Sequence, residues 1–229
     1  MIMENTACLE GDSGEKSTVE SLPIKGLQKT SLIDFPGKIC ATIFLGNCNM
    51  RCGYCYNHGL VFNHRSMPTI MEEEIIEFLK KRKNLLDGVC ITGGEPTLHI
   101  GLKNFIRKIK NLGYLVKLDT NGTNPNVVDE LIKERLIDYI AMDVKASLDD
   151  YYKIVNVNMN IKNIEKTIQI IKNSNVDYEF RMTVVPSLIT ERDIKKIRKL
   201  LSGCKRFFLP QFMPADTLIN PELKKEKPY

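Results

Sequence analysis

Ile39-Cys40-Ala41-Thr42-Ile43-Phe44-Leu45-Gly46-Asn47-Cys48-Asn49-Met50-Arg51-Cys52-Gly53-Tyr54-Cys55 opens as an apolar run and closes on three cysteines. The run, rich in β-branched and aromatic residues, predicts a buried strand, so the cysteines stand on the loop that leaves its carboxyl end. Cys48, Cys52 and Cys55 offer three thiolates on one short loop and no fourth. A structural zinc takes four protein ligands and an electron-carrying [4Fe–4S] cubane usually takes four cysteines. Three at this spacing therefore point to a cluster with one iron left open, and an open iron can bind a substrate. The alternative is a zinc knuckle that recruits His58, with all four ligands inside eleven residues of one loop. Zinc sites usually draw ligand pairs from two separated segments, which counts against it.

Outward from this stretch, apolar runs alternate with helix-period segments. Residues 39–45, 88–91, 115–119, 139–144, 179–185 and 207–212 read as six strands. Residues 71–84, 102–111, 127–135, 161–173 and 191–201 carry apolar side chains at spacings of three and four, and 148–155 reads as a short helix. Gly113 and Gly203 stand where helix ends favour positive φ. Repeated βα units predict an α/β fold with parallel strands and right-handed crossovers, either an open doubly wound sheet or a curved, incomplete barrel. In both, ligands collect at the carboxyl ends of the strands.

Chemistry-bearing residues recur where that rule puts them. The second strand leads into Thr92-Gly93-Gly94-Glu95-Pro96, the third ends in Asp119-Thr120-Asn121-Gly122, and the fourth in Met142-Asp143-Val144-Lys145. Each alone reads as ordinary turn or capping chemistry. The fifth strand carries Arg181-Met182-Thr183-Val184-Val185-Pro186, and an arginine in so apolar a run is costly to bury without an anion. Its bland reading is a salt bridge to Glu179 or Asp143. The sixth gives Leu209-Pro210-Gln211-Phe212, and Thr30-Ser31-Leu32-Ile33-Asp34-Phe35-Pro36-Gly37 precedes the first.

Taken in order, these motifs resemble those of the radical S-adenosylmethionine (SAM) superfamily over residues 24 to 214. The Cx3Cx2C run with an aromatic residue before its last cysteine is similar to the superfamily signature. The resemblance implies an incomplete (β/α)6 TIM-like barrel, a [4Fe–4S] cluster on Cys48, Cys52 and Cys55, and SAM chelated at the open iron. It further implies reductive cleavage of SAM to a 5′-deoxyadenosyl radical that abstracts a hydrogen atom, with the cofactors supplying the chemistry. Gly53 would let the loop fold tightly round the cluster and Tyr54 would lie near the adenine. Gly93 and Gly94 would let the backbone approach the ligand, and Glu95 would accept from its ammonium group.

The segments DTNG, D-x-K and R-x-x-V-V-P resemble those of glycyl-radical-enzyme activases. That implies a monovalent cation on Asp119, Thr120 and Asp143, Lys145 against the SAM carboxylate, and SAM contacts from Asp119 and Arg181. Some activases contact SAM with a histidine where Gln211 and Phe212 stand here, and Gln211 would either take that contact through its amide or have no role. Residues 26–38 look most like the activating proteins of anaerobic ribonucleoside-triphosphate reductase, with Asp34 meeting the partner's glycine loop. The activity implied is removal of a hydrogen atom from a partner's glycine α-carbon, with an electron donor such as flavodoxin or ferredoxin. The rivals are a radical SAM enzyme acting on a small molecule such as a 7-deazaguanine precursor, and a non-catalytic zinc-binding module.

At 229 residues the chain suits one domain. We expect a mobile leader over 1–21, the radical SAM domain over 22–215 and a C-terminal tail over 216–229. The net charge of +5 comes from 33 basic and 28 acidic residues, much of it on helix faces, with no nucleic-acid-binding motif beside it. Seven cysteines without a paired framework, no signal peptide and no apolar run near twenty residues predict a soluble, cytoplasmic protein that binds no membrane.

Overall fold

The computed structural model describes residues 21–227. The expected leader, Ser21 apart, lies outside the described residues, as does Cys8.

Seven strands form one sheet in the order of the chain. They are β1 (Ile24–Ser31), β2 (Cys40–Leu45), β3 (Gly88–Gly93), β4 (Leu115–Thr120), β5 (Tyr139–Asp143), β6 (Asp177–Arg181) and β7 (Phe207–Phe208). β2 to β7 are the six expected parallel strands, each paired to its successor. β1 is an addition, antiparallel to β2 with Ile24 opposite Leu45 and Ser31 opposite Cys40. A doubly wound sheet reverses its strand order at a switch point. This order never reverses, so right-handed crossovers stack every helix on one face and the sheet curls as a barrel does. Among the described residues it does not close, because β1 and β7 each pair on one side only. The turn after β1 (Ile33, Asp34, Pro36) and the chain at β7 (Phe208, Leu209, Pro210) nevertheless line one cavity, so the edges face each other across a gap.

Between the strands lie α1 (His58–Phe62), α2 (Glu72–Lys81), α3 (Leu102–Asn111), α4 (Pro125–Lys133), α5 (Tyr151–Val155), α6 (Ile161–Lys172) and α7 (Glu191–Leu200). α3 illustrates why they form: Leu102, Phe105, Ile106 and Ile109 recur on one face and are all buried. Gly113 follows at φ +85° and ends the turn. The short helix expected over 148–155 is a 3-10 turn, Leu148–Asp150, followed by α5.

Strand alternation sorts the sheet by chemistry. Ala41, Ile43, Val89, Ile91, Val116, Leu118, Ile140 and Phe180 join the main core beneath the helices. Cys90, Lys117 and Tyr139 stand in one register row and Asp119, Ala141 and Glu179 in the next, which gives the inner face a polar lining. Cys40 and Cys90 are buried there with Phe35 and Tyr139, apart from the clustered thiols.

Two strand readings need correction. β6 ends at Arg181, with Val184 held beyond it by a single bridge to Gln211, so Arg181 is at a strand end rather than inside an apolar strand. β7 has two residues rather than six.

Candidate active site

The carboxyl ends of β3, β4, β5 and β6 and the loop after β2 surround a cavity of about 200 Å³. Cys48, Cys52 and Cys55 line it together with Tyr54, Gly93, Gly94, Asp119, Thr120, Asp143, Lys145 and Arg181. All three thiols are free. Burial pushes the Cys48 thiol up and takes Cys52 to about 12, against the pull of Lys145. Without a metal Cys48 and Cys52 hold their protons at neutral pH, so metal binding must release them. His58 begins α1 with its ring against Phe62 at 5.1 Å and is not among the residues that line the cavity, so the Cys3His set is not brought together.

The cysteine loop is held from several sides. Asn47, at φ 72°, donates its N–H to the Leu60 carbonyl at 2.8 Å. Arg51 Nη1 donates back to the carbonyls of Cys48 and Met50 at 2.6 and 2.7 Å, and Asn156 Nδ2 donates to the Arg51 carbonyl at 3.0 Å. Asn49 exchanges hydrogen bonds with Asn121 and Thr123 at 2.9 and 3.0 Å, joining the loop to the end of β4.

The two glycines at the end of β3 serve the protein's own backbone. A Cβ on Gly94 would lie 1.8 Å from the Asn47 carbonyl oxygen, and one on Gly93, at φ +116°, would lie 2.4 Å from that of Leu45. The Gly94 and Glu95 amides donate to those two carbonyls, each at 2.8 Å. Close approach here sets the cysteine loop against β3.

Glu95 is fully buried and is not among the residues that line the cavity. Oε1 accepts from the Thr97 amide at 3.0 Å, from Thr120 Oγ1 at 2.8 Å and from the Thr97 hydroxyl, while Oε2 accepts from the Asn121 amide at 2.6 Å. Burial pushes its carboxyl up, opposed by those hydrogen bonds. The residue expected to meet a ligand ammonium therefore ties the ends of β3 and β4 together.

The charges form a chain across three strand ends. Lys117 is buried and paired with Asp119, which accepts from Thr92 Oγ1 at 3.2 Å and forms an ion pair with Arg181 Nη2 at 3.3 Å. Arg181 Nε donates to Asp143 at 2.9 Å, and Lys145 Nζ donates to the other Asp143 oxygen at 2.9 Å. Burial disfavours the charged form of Asp143, but Lys145 and Arg181 outweigh it and hold its carboxyl well below the usual carboxylate range. The same carboxylate, against burial, holds the Lys145 ammonium well above its ordinary value. The residues expected to ligate a monovalent cation thus have partners of their own, the Thr120 hydroxyl donating to Glu95.

A [4Fe–4S] cluster and SAM fit this residue set on two observations. Among the described residues, three free thiols and no fourth share one cavity, and the Tyr54 hydroxyl, buried in its lining, has no hydrogen-bond partner. The radical SAM superfamily profile matches residues 42–201 of the chain. The chain belongs to the radical SAM superfamily. A protein of Methanocaldococcus jannaschii whose name assigns it provisionally to the glycyl-radical enzyme activating enzymes is 41% identical over 210 residues, spanning 88% of this chain and 84% of that one. A second such protein of that organism is 28% identical over 191 residues, spanning 82% and 71%. Streptococcus suis SuiB bound to S-adenosylmethionine shares the fold at a TM-score of 0.61 and 15% identity, over 76% of this chain and 40% of that one.

For a radical SAM protein, several expected residues stand elsewhere. Gln211 is exposed beyond β7 and is not among the residues that line the cavity. Asp34 lines the second cavity, about 440 Å³, and accepts from Thr42 Oγ1 at 2.6 Å. Arg181 is part of the wall of both cavities. The expected tail folds onto the cysteine loop: the amides of Ile219 and Asn220 donate to the carbonyls of Cys55 and Gly53 at 3.3 and 2.8 Å. Lys117, Asn49 and Thr123 escaped the sequence reading. Lys117 had a signal, a lysine inside the apolar run 115–118; Asn49 and Thr123 had none.

Proposed function

We propose that this protein activates a glycyl-radical enzyme, with a [4Fe–4S] cluster on Cys48, Cys52 and Cys55 and SAM beside it. The observation that carries this reading is the convergence of three free thiols and the Asp119, Asp143, Lys145 and Arg181 array on one cavity. When bound, cluster and SAM together supply one-electron reductive cleavage of the sulfonium and the radical that takes a hydrogen atom from glycine. The chain's residues do the rest. The thiols give up their protons to bind iron. Lys145 and Arg181 face a ligand carboxylate, Asp119 and Asp143 a ligand ammonium, so opposite charges already in register are redistributed rather than created. Gly93 and Gly94 keep the loop in place, Tyr54 offers its hydroxyl, and a monovalent cation would have to displace Lys145 or Arg181 from the aspartates.

A protein substrate is supported by the gap between the sheet edges. Its cavity, lined by Asp34, Lys117, Glu179 and Phe208, borders the cysteine cavity at Arg181 and gives an extended loop a lateral way in. The resemblance over 26–38 supports anaerobic ribonucleoside-triphosphate reductase as the partner and flavodoxin or ferredoxin as electron donor. Six free cysteines among the described residues support a reducing cytoplasm.

The test uses anaerobically reconstituted, reduced protein with SAM. We expect 5′-deoxyadenosine, its loss in Cys55→Ala, and a glycyl-radical doublet in the partner's electron paramagnetic resonance spectrum. Product that depends on a 7-deazaguanine precursor instead would select the small-molecule reading. Tetrahedral zinc without SAM cleavage would overturn both.

A further inference from the structure

The superfamily match ends at residue 201, yet residues 213–226 return to the cysteine loop and meet it at every residue from Gly53 to Tyr56 except Tyr54. Two consecutive amides, of Ile219 and Asn220, bond the carbonyls on either side of Tyr54. Leu218 and Leu223 are 4% and 5% exposed, the two buried anchors of a segment whose other residues are half-buried or exposed. Asn220 accepts from the Glu222 amide at 3.1 Å and caps the short 3-10 turn Pro221–Lys225. Upstream, the Tyr56 hydroxyl donates to the Met213 carbonyl at 2.6 Å and accepts from the Met213 amide at 3.0 Å, while its ring stacks on buried Phe212 at 6.0 Å. A Cβ on Gly53 would sit 3.1 Å from Asn220 Cβ and 3.6 Å from Leu223 Cδ1, so the segment lies directly on the turn that carries Cys52 and Cys55.

We propose that residues 213–226 are a clamp, anchored by Leu218 and Leu223, that holds the 52–55 turn in ligand position and shields the cluster on its outer face. This rests on the cluster assignment above. Leu223 is then a positioning residue. Loosening it should expose the loop without touching a thiol, since segments of this kind open locally well before the whole domain unfolds.

The experiment compares the full-length protein with Leu223→Ser, which loses the apolar anchor, and Leu223→Met, which keeps it. In the metal-free proteins, hydrogen exchange at the Ile219 and Asn220 amides should be about tenfold faster in Leu223→Ser and unchanged in Leu223→Met. In the reconstituted proteins, loss of cluster absorbance in air and iron release to a chelator should quicken in Leu223→Ser alone, with thermal unfolding showing that the domain remains folded. Faster exchange with unchanged bleaching and iron release would overturn the clamp. If Leu223→Ser does not fold, Gly53→Ala pushes the segment outward through its added Cβ and carries the same expectation. A parent protein that takes up no iron would fail before any variant is compared, and so overturns the cluster assignment itself.

Discussion

Glu95 has no exposure to water, yet four donors converge on it, about as many as a carboxylate can accept. Glu95→Gln would turn an amide donor toward the Asn121 or Thr97 donors, and we expect it to cost about 1–3 kcal/mol in chemical denaturation. Asp143 gives the pH dependence. Its folded pKa is depressed by Lys145 and Arg181, so its contribution is complete above about pH 4, where a free aspartate is ionised. It is lost as pH falls through the folded value. The stability gap between parent and Asp143→Asn, read by urea unfolding, should hold from pH 7 to about pH 5 and close below about pH 4. Glu95 works in the opposite sense, its raised pKa favouring the folded state as pH falls toward that of a free glutamate. Among the cysteines, Cys55→Ala should abolish iron binding and Cys204→Ala should leave it intact, by iron content and visible spectrum.

The residue types of the site were legible because chemistry demands them: three thiols on one loop and an arginine in an apolar run. The role of Glu95 was not. Whether a carboxylate faces a ligand or a ring of protein donors depends on Thr97, Thr120 and Asn121, and only folding brings the last two to it.

At the scale of elements, the junction of β3 with the cysteine loop is the least tolerant place. Gly94→Ala puts a methyl 1.8 Å from a backbone oxygen that cannot swing away, and we expect a loss of at least about 3 kcal/mol or no soluble protein. α3, α6 and α7 were readable to within a residue, because their apolar faces repeat against one core, whereas α2 ends three residues before its expected end, α4 lies two residues upstream of its expected bounds and the short α1 was not read. β1 was not, since only Ile24 and Ser31 of its eight residues are buried and its lysines and glutamine are those of a protected edge. β6 and β7 are shorter than their apolar runs because Val184, Val185 and Phe212 are buried by loop packing outside the ladder.

For the whole molecule, the proposed function makes the gap between β1 and β7 the way in for a partner's loop, and Asp34 on its wall tests it. Substituting Asp34 on its wall should lower partner-dependent glycyl-radical formation while sparing 5′-deoxyadenosine release without partner. Asp34→Asn is the mild variant, since the Thr42 hydrogen bond survives it. Equal loss of both would place Asp34 at SAM rather than at the partner.

By itself the sequence determined the alternation of strands and helices, the parallel sheet, the end of it that carries chemistry, and the three thiols gathered on one loop. Those follow from periodicity and donor count, which are local. Only the tertiary structure decided that the sheet curls rather than reverses, that Glu95 is a tie, that the charges are already paired, and that the C-terminal segment covers the cysteine loop. Each depends on which distant groups meet across the fold, and no local spacing encodes that.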